Sequence, residues 1–237
     1  MHFSGFAALS GAFLQVPEGG IVAVIGPNGA GKTTLFNCIS GHLRPTRGRI
    51  RYGGREIVGT PPHRLSRAGI ARSFQLTNVF PRLSVFDNVH VAVLASDGRS
   101  ANLWTPARAQ SSARTWELLE RVGLAGRAGQ AAASLGHGDR KLLEIAIALA
   151  TRPRLMLLDE PTAGMSPEER AHITGLIQAL HRSEGLTVLF TEHDIDVVFG
   201  IARSIMVLHR GRTLVQGSPE AVRAHPEVQS AYLGEPV

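Results

Sequence analysis

Cysteine is almost missing from this chain. Cys38 stands alone, which excludes an internal disulfide and leaves a small buried thiol as the default reading. Lysine is nearly as scarce. Only Lys32 and Lys141 occur, so arginine supplies almost all the positive charge behind a net +6. Aromatic residues make up only 5 %, and no tract interleaves basic residues with stacking rings. The arginines look scattered, so a solvated surface is expected rather than a nucleic-acid groove. No apolar run approaches the roughly 20 residues of a membrane span. The start, Met1-His2-Phe3-Ser4-Gly5, lacks the basic region and apolar core of a signal peptide. Together these absences point to a soluble protein of the reducing cytoplasm. With 43 % hydrophobic residues, the 237-residue chain can build one large core, or one domain with a sizeable insertion.

What is present centres on Gly26-Pro27-Asn28-Gly29-Ala30-Gly31-Lys32-Thr33-Thr34, which fits G-x-x-x-x-G-K-[ST], the P-loop. The apolar run Ile21–Ile25 before it reads as a buried strand, and Leu35–Ile39 continues as a helix. Glycines let the backbone curl so that its N–H groups face phosphate oxygens, and the helix start adds partial positive charge. Lys32 is expected to reach the β- and γ-phosphates of a nucleotide, and the Thr33 hydroxyl to ligate Mg²⁺.

Along the chain, residues 1–25 read as a β-rich entry, and Gly48–Gly53 as a short strand or hairpin. Pro61-Pro62-His63 starts a short helix. Ile70–Phe74 resembles a strand, with Gln75 just past it. Val85–Ala95 has helical spacing, and residues 96–112 look like a loop. Trp116, Leu119 and Val122 fall on one helical face, with Gly123 as a C-cap. Arg140–Ala150 is an apolar helix. Leu155-Met156-Leu157-Leu158-Asp159-Glu160 is a buried strand ending in two acids. Ser166-Pro167-Glu168-Glu169 is a capping box, and Ile173, Leu176, Ile177 and Leu180 supply the apolar face of its helix. Thr187–Thr191 and Ile205–Leu208 are further buried strands. Arg210-Gly211-Arg212 turns the chain back, and Ser218-Pro219 opens a last helix. Apolar strands alternating with helices imply a mainly parallel α/β core.

The run ending at Asp159 fits the Walker B pattern, and strand C-termini face the ligand crevice in parallel sheets. Asp159 is expected to hold Mg²⁺. Glu160 is next along the strand edge, where side chains alternate, so it is expected to aim elsewhere, at an attacking water, as general base. Gln75 and His193 carry little meaning alone. Each follows a strand, where residues contacting Mg²⁺, water or the γ-phosphate would sit.

At this point the chain resembles the ATP-binding subunits of ABC transporters, over nearly its whole length. The motifs stand in that family's order: P-loop 26–34, Q-loop Gln75, signature segment, Walker B 155–160, D-loop Ala163-Gly164-Met165-Ser166 and H-loop His193. The signature segment is Leu135-Gly136-His137-Gly138-Asp139 where the family usually shows L-S-G-G-Q. Gly136 replaces the serine and Asp139 the glutamine, and Ser166 stands where an aspartate is common. Phe3 has the spacing of the family's adenine-stacking aromatic. The family usually has another strand before it, so a shortened edge sheet or a start placed too far downstream is implied. The resemblance implies a P-loop NTPase core of the ABC type with an antiparallel β subdomain. Residues 1–76 and 136–237 would form that core within one domain of 1–237, and 77–135 a helical insertion.

Several stretches look like the branched-chain amino acid uptake group: residues 25–31, 71–76, 142–146, 191–194 and the tail Ala231-Tyr232-Leu233-Gly234. His137 suits that group's signature variant. The resemblance therefore implies an importer motor using ATP and Mg²⁺ at the cytoplasmic face of the cell membrane. Two such subunits, identical or related, would sandwich two ATP molecules, with Leu135, Gly136, His137 and Gly138 of one facing the P-loop of the other. Partners would be transmembrane permease subunits and, indirectly, a solute-binding protein, with no nucleic acid. Urea or short-amide importers share most of these features. A soluble ABC-type ATPase on nucleic acid or ribosomes usually carries two nucleotide domains, long coiled coils or zinc modules, none of which is seen. A small-molecule kinase fits poorly the long interval from Lys32 to Asp159.

Overall fold

Four short apolar runs explain the centre of the molecule, because each is buried on both faces. In the computed structural model, which describes residues 1–3, 5–73, 79–98 and 111–230 (side chains of His2, Phe3 and Phe6 excepted), they form one sheet with helices on either side. The chain starts with two short strands, β1 (His2–Phe3) and β2 (Phe6–Ala7), then β3 (Ile21–Ile25) and α1 (Lys32–Ile39). A hairpin of β4 (Arg51–Tyr52) and β5 (Arg55–Glu56) leads into α2 (Pro62–Arg67) and β6 (Ile70–Ser73). Helices α3 (Val85–Ser96), α4 (Ser112–Arg121) and α5 (His137–Leu149) follow. The chain closes with β7 (Leu155–Asp159), α6 (Pro167–Glu184), β8 (Thr187–Thr191), α7 (Ile195–Ile201), β9 (Ser204–His209), β10 (Arg212–Gly217), α8 (Pro219–Arg223) and α9 (Pro226–Val228).

The main sheet runs β10-β9-β3-β8-β7-β6. All its pairings are parallel except β9 with β10, which the Arg210-Gly211 turn reverses. Side chains alternate between two cores even though the strands read as uniform apolar runs. Ile21, Ala23, Ile25, Met156, Leu158, Val188, Phe190, Ile205 and Val207 pack beneath α3 to α8. Val22, Val24, Leu155, Leu157, Leu189, Met206 and Leu208 pack against α1, Leu65 of α2 and Ile57 after the hairpin. Two covered faces are what an all-apolar parallel strand requires, and each large side chain so buried contributes about 1.5–3 kcal/mol.

The β subdomain consists of the β1–β2 and β4–β5 hairpins and a stretch from Gly11 that runs beside β10, bridged at Arg212. Two sequence expectations need adjustment. Trp116 is 43 % exposed, because the buried stripe of α4 is Thr115, Leu118 and Leu119, continued by Val122. Thr115 turns inward to hydrogen-bond Nδ1 of buried His90 at 2.8 Å, on the same face as the core residues Leu118 and Leu119. The signature helix also begins earlier than Arg140, at His137. Most of the expected loop at 96–112 and the tail Ala231–Gly234 lie outside the described residues.

The capping box at α6 is complete. The Glu169 amide donates to Ser166 Oγ at 3.2 Å, and the Ser166 amide to Glu169 Oε2 at 3.0 Å. Ser166→Ala removes one partner of this pair. We expect a loss of about 1 kcal/mol, seen as a lower urea midpoint with an unchanged slope.

Candidate functional site

The site is assembled by strand register. Val24 pairs with Thr191 and Thr191 with Asp159, so the C-terminal ends of β3, β8 and β7 lie level. The P-loop leaves the first of these ends. Gly26 has φ +156 and packs so closely that a Cβ would stand 2.1 Å from the Leu208 carbonyl oxygen, a contact no other residue tolerates. Gly31 starts α1 without any side-chain cap, which leaves the first-turn amides for an anion.

Lys32 is a buried cation on neutral partners. Its Nζ donates to the carbonyl oxygens of Gly26 at 2.6 Å and Pro27 at 3.3 Å, and among the described residues no carboxylate forms an ion pair with it. Burial pushes its pKa below the ordinary lysine value, while the charges of Glu160 and Asp159 pull it back up. Bare amides and a desolvated ammonium in one loop fit a polyphosphate.

Asp159 ends β7 and is 3 % exposed. Thr191 Oγ1 donates to its Oδ1 at 2.6 Å and Arg72 Nη2 to its Oδ2 at 3.2 Å. Arg72 is fixed in turn by Asn37 Oδ1 at 2.6 Å and Ser40 Oγ at 3.0 Å, both on or just after α1. Each carboxylate oxygen keeps a further lone pair. Among the described residues no group of three His, Cys, Asp or Glu side chains gathers as a metal cage. One carboxylate with the exposed Thr33 hydroxyl fits Mg²⁺, which is usually held by one or two protein ligands together with substrate phosphates and water.

Glu160 does not follow strand alternation, contrary to the sequence reading. The strand stops at Asp159 and Glu160 takes φ +47, a left-handed turn that costs a non-glycine residue about 1–2 kcal/mol. Its amide is held by the Thr191 carbonyl and Oγ1, both at 3.1 Å. The turn delivers the carboxylate to His193, whose Nε2 donates to Oε1 at 2.9 Å. Glu160 and His193 remain 30 % and 43 % exposed, so water reaches the pair. A carboxylate, an imidazole and a buried ammonium on one sheet edge can together bind a phosphate and accept a proton.

The structure thus brings Lys32, Asp159, Glu160 and His193 together. The signature segment stands apart. No hydrogen bond or ion pair among the described residues joins Leu135–Gly138 to the P-loop. Instead His137 Nε2 donates to Ala163 O in the D-loop at 3.0 Å, and Asp139 pairs with Arg127 at 2.8 Å rather than capping its helix. Gly138 fits because a Cβ there would meet Glu169 Oε1 at 2.6 Å. Gln75 lies outside the described residues, as does the side chain of Phe3, whose backbone lies in β1.

Two contributors escape sequence reasoning. One is Arg72. The other is Glu192, 2 % exposed, which accepts from the Thr162 amide at 2.8 Å, the Thr162 hydroxyl at 2.6 Å and the His193 amide at 3.0 Å. It ties the turn after Glu160 to the residue that Glu160 meets.

A P-loop and an acid-ended strand on one edge of a parallel sheet, with a helix-rich segment between them, define an ATP-binding cassette. The chain belongs to the ABC transporter family, matching it over residues 9–163. Residues 212–237 match a second family, the branched-chain amino acid ATP-binding cassette transporter. The chain is 41 % identical over 242 residues to the high-affinity branched-chain amino acid transport ATP-binding protein BraF of Pseudomonas aeruginosa, covering 99 % of this chain and 95 % of that one. It is similar to the ADP conformation of MJ1267, an ATP-binding cassette of an ABC transporter, with TM-score 0.86, 29 % identity, and 99 % and 96 % of the two chains covered. It also resembles the dimeric structure of MJ0796, a bacterial ABC transporter cassette, with TM-score 0.77, 26 % identity and 90 % of each chain covered.

The Glu192 clamp is testable by stability. Glu192→Ala leaves three donors facing a void, and we expect a loss of about 2–3 kcal/mol in urea unfolding. Glu192→Gln keeps one acceptor for Thr162 but opposes an amide NH₂ to the His193 N–H, and should cost measurably less.

Proposed function

We propose that this chain is the ATP-hydrolysing motor subunit of a membrane importer for branched-chain amino acids. The observation that carries the ATPase reading is the Glu160 carboxylate, swung off its strand onto His193 beside the P-loop. The C-terminal family match and the BraF likeness support the cargo.

The residues take the following roles in this reading. The P-loop Gly26–Thr34 binds the phosphates through its free backbone amides, of which Pro27 has none, and through Lys32. Thr33, Asp159 and Gln75 would hold Mg²⁺, which would supply charge neutralising the phosphates. Glu160 accepts a proton from the attacking water, and His193 fixes that carboxylate. Phe3 stacks on the adenine. Residues 77–135 act as the helical insertion on a core of 1–76 and 136–237. Leu135–Gly138 serves a second ATP-binding subunit, which explains why it makes no bond to its own P-loop. The likeness to a dimeric cassette supports that arrangement.

The insertion also carries Phe80, Leu83, Val91 and Trp116, each at least 37 % exposed. Such a group of bare apolar side chains fits a permease surface. Among the described residues no helix is long and apolar enough to cross a membrane. We therefore place the chain peripherally at the cytoplasmic face of the cell membrane, on permease subunits. A separate solute-binding protein would select the amino acid.

Glu160→Gln should lower ATP turnover by about 10²–10⁴-fold while ATP binding persists; undiminished turnover refutes the general-base role. A mild-detergent pull-down from native membranes should bring two permeases and a second ATP-binding subunit. Ligand binding by the accompanying solute receptor then names the cargo.

A further inference from the structure

The charge of this protein is concentrated, not scattered as the sequence reading held. Residues 44–67 contain seven arginines and one acid, Glu56, a formal +6 that equals the net charge of the whole chain. The remainder is balanced, with 18 Lys and Arg against 18 Asp and Glu. The segment is one structural unit, the β4–β5 hairpin with its approach and helix α2, seated on the core through Ile57 and Leu65. Arg44, Arg47, Arg49, Arg51, Arg55, Arg64 and Arg67 are all exposed. Among the described residues none of the seven forms an ion pair, whereas six of the fourteen described arginines outside the segment do: Arg72, Arg114, Arg121, Arg127, Arg152 and Arg170.

The chemistry around these guanidinium groups narrows the partner. Protein interfaces combine their arginine contacts with a buried apolar or aromatic centre. Among the described residues the large exposed hydrophobic side chains are Phe13, Phe80, Leu83, Val91 and Trp116, none of them within 44–67. Single-stranded nucleic acid asks for stacking rings, and the segment's one aromatic, Tyr52, is half-buried against the core. Duplex DNA is commonly read by a helix laid in the major groove, and α2 has six residues. What remains is a laterally diffuse anionic surface, met by guanidinium groups suited to phosphate oxygens.

Position agrees with this. A groove of about 270 Å³ is lined by Pro62, His63 and Ser66 of α2, by Val79 of the insertion, and by Ile147 and Thr151 of the core. The basic unit and the insertion that carries the exposed apolar group therefore border one groove. A permease seated on the insertion would bring lipid headgroups to the arginines. We infer that the β4–β5 hairpin and α2 form a contact surface for anionic phospholipid headgroups. This placement rests on the importer reading.

Flotation with vesicles tests it directly, using the purified full chain and no permease. The chain should bind phosphatidylcholine vesicles containing phosphatidylglycerol, and not pure phosphatidylcholine. Binding should weaken steeply as salt rises. Each arginine close to such a surface is worth about 5-fold in partitioning, so R47Q/R49Q/R51Q should lose about 100-fold. R182Q/R203Q/R210Q, which removes the same charge elsewhere, should lose far less. Both variants should keep ATP turnover, which shows that they are folded. Equal binding to neutral vesicles, no binding to either kind, or equal losses in the two variants overturns the inference. Tighter binding to a DNA duplex than to the anionic vesicles at the same salt overturns it in favour of nucleic acid. Permease co-purification is read independently, so the lipid surface and the importer reading can fail separately.

Discussion

Everything at this site hangs from the register of three parallel strands. Val24, Thr191 and Asp159 lie level across β3, β8 and β7, so the P-loop, the acid pair and the histidine segment emerge from one edge. Strand β8, between the other two, does more than space them. The Thr191 side chain both donates to Asp159 and accepts from the Glu160 amide. A one-residue slip of β8 would put that hydroxyl on the wrong side of the sheet. It would also bury the wrong set of apolar side chains, so the two cores above and below enforce the catalytic alignment. Stability and site geometry are here one constraint.

The second organising element is charge held away from water. Lys32, Asp159 and Glu192 are each less than a tenth exposed, and each has its demands met differently. Lys32 rests on carbonyl oxygens and lacks a counter-charge of its own, so an arriving phosphate gains a partner without breaking an ion pair. Asp159 is neutralised by Arg72, which anchors to α1 and so couples the strand end to the P-loop helix. Glu192 has three donors and no cation, and serves geometry. Removing an acceptor from such a place leaves its donors stranded in low dielectric, which is why these polar contacts fix a single arrangement.

The sequence made the apolar strands legible because each is a short run bounded by turn residues, and it made the caps at Ser166 and Ser218 legible because their pattern is local. The P-loop and Asp159 were readable for the same reason. Four residues were not. Glu160 was read as continuing a strand, but the strand ended one residue earlier and a left-handed turn re-aimed the side chain. Arg72 and Glu192 act across 87 and 30 residues of chain, and no local spacing marks such partners. Three-residue spacing puts Trp116 on one face with Leu119 and Val122, whereas the buried stripe runs through Thr115, Leu118 and Leu119, with Thr115 bonded to His90. The charge concentration was present in the sequence but invisible when arginines were weighed singly. It is the shortage of acids between Arg44 and Arg67, not the number of arginines, that sets the segment apart.

These features divide the surface by physical task. The sheet edge holds charges that are buried and few, suited to one anionic substrate. Gly136 and His137 stand exposed at an uncapped helix start, and the histidine bonds to the D-loop instead of the P-loop. The insertion presents apolar side chains, and the hairpin unit presents unpaired guanidinium groups. A chain free in solution gains nothing from leaving all three bare. A chain that meets a second cassette, a membrane-embedded protein and a lipid surface needs each of them, and needs them on different elements so that they can be engaged at once. The His137–Ala163 bond gives this division a mechanical link, because it connects the start of α5 to the turn that begins at Glu160. Movement of that helix would therefore be felt at the carboxylate through a chain of hydrogen bonds only a few residues long.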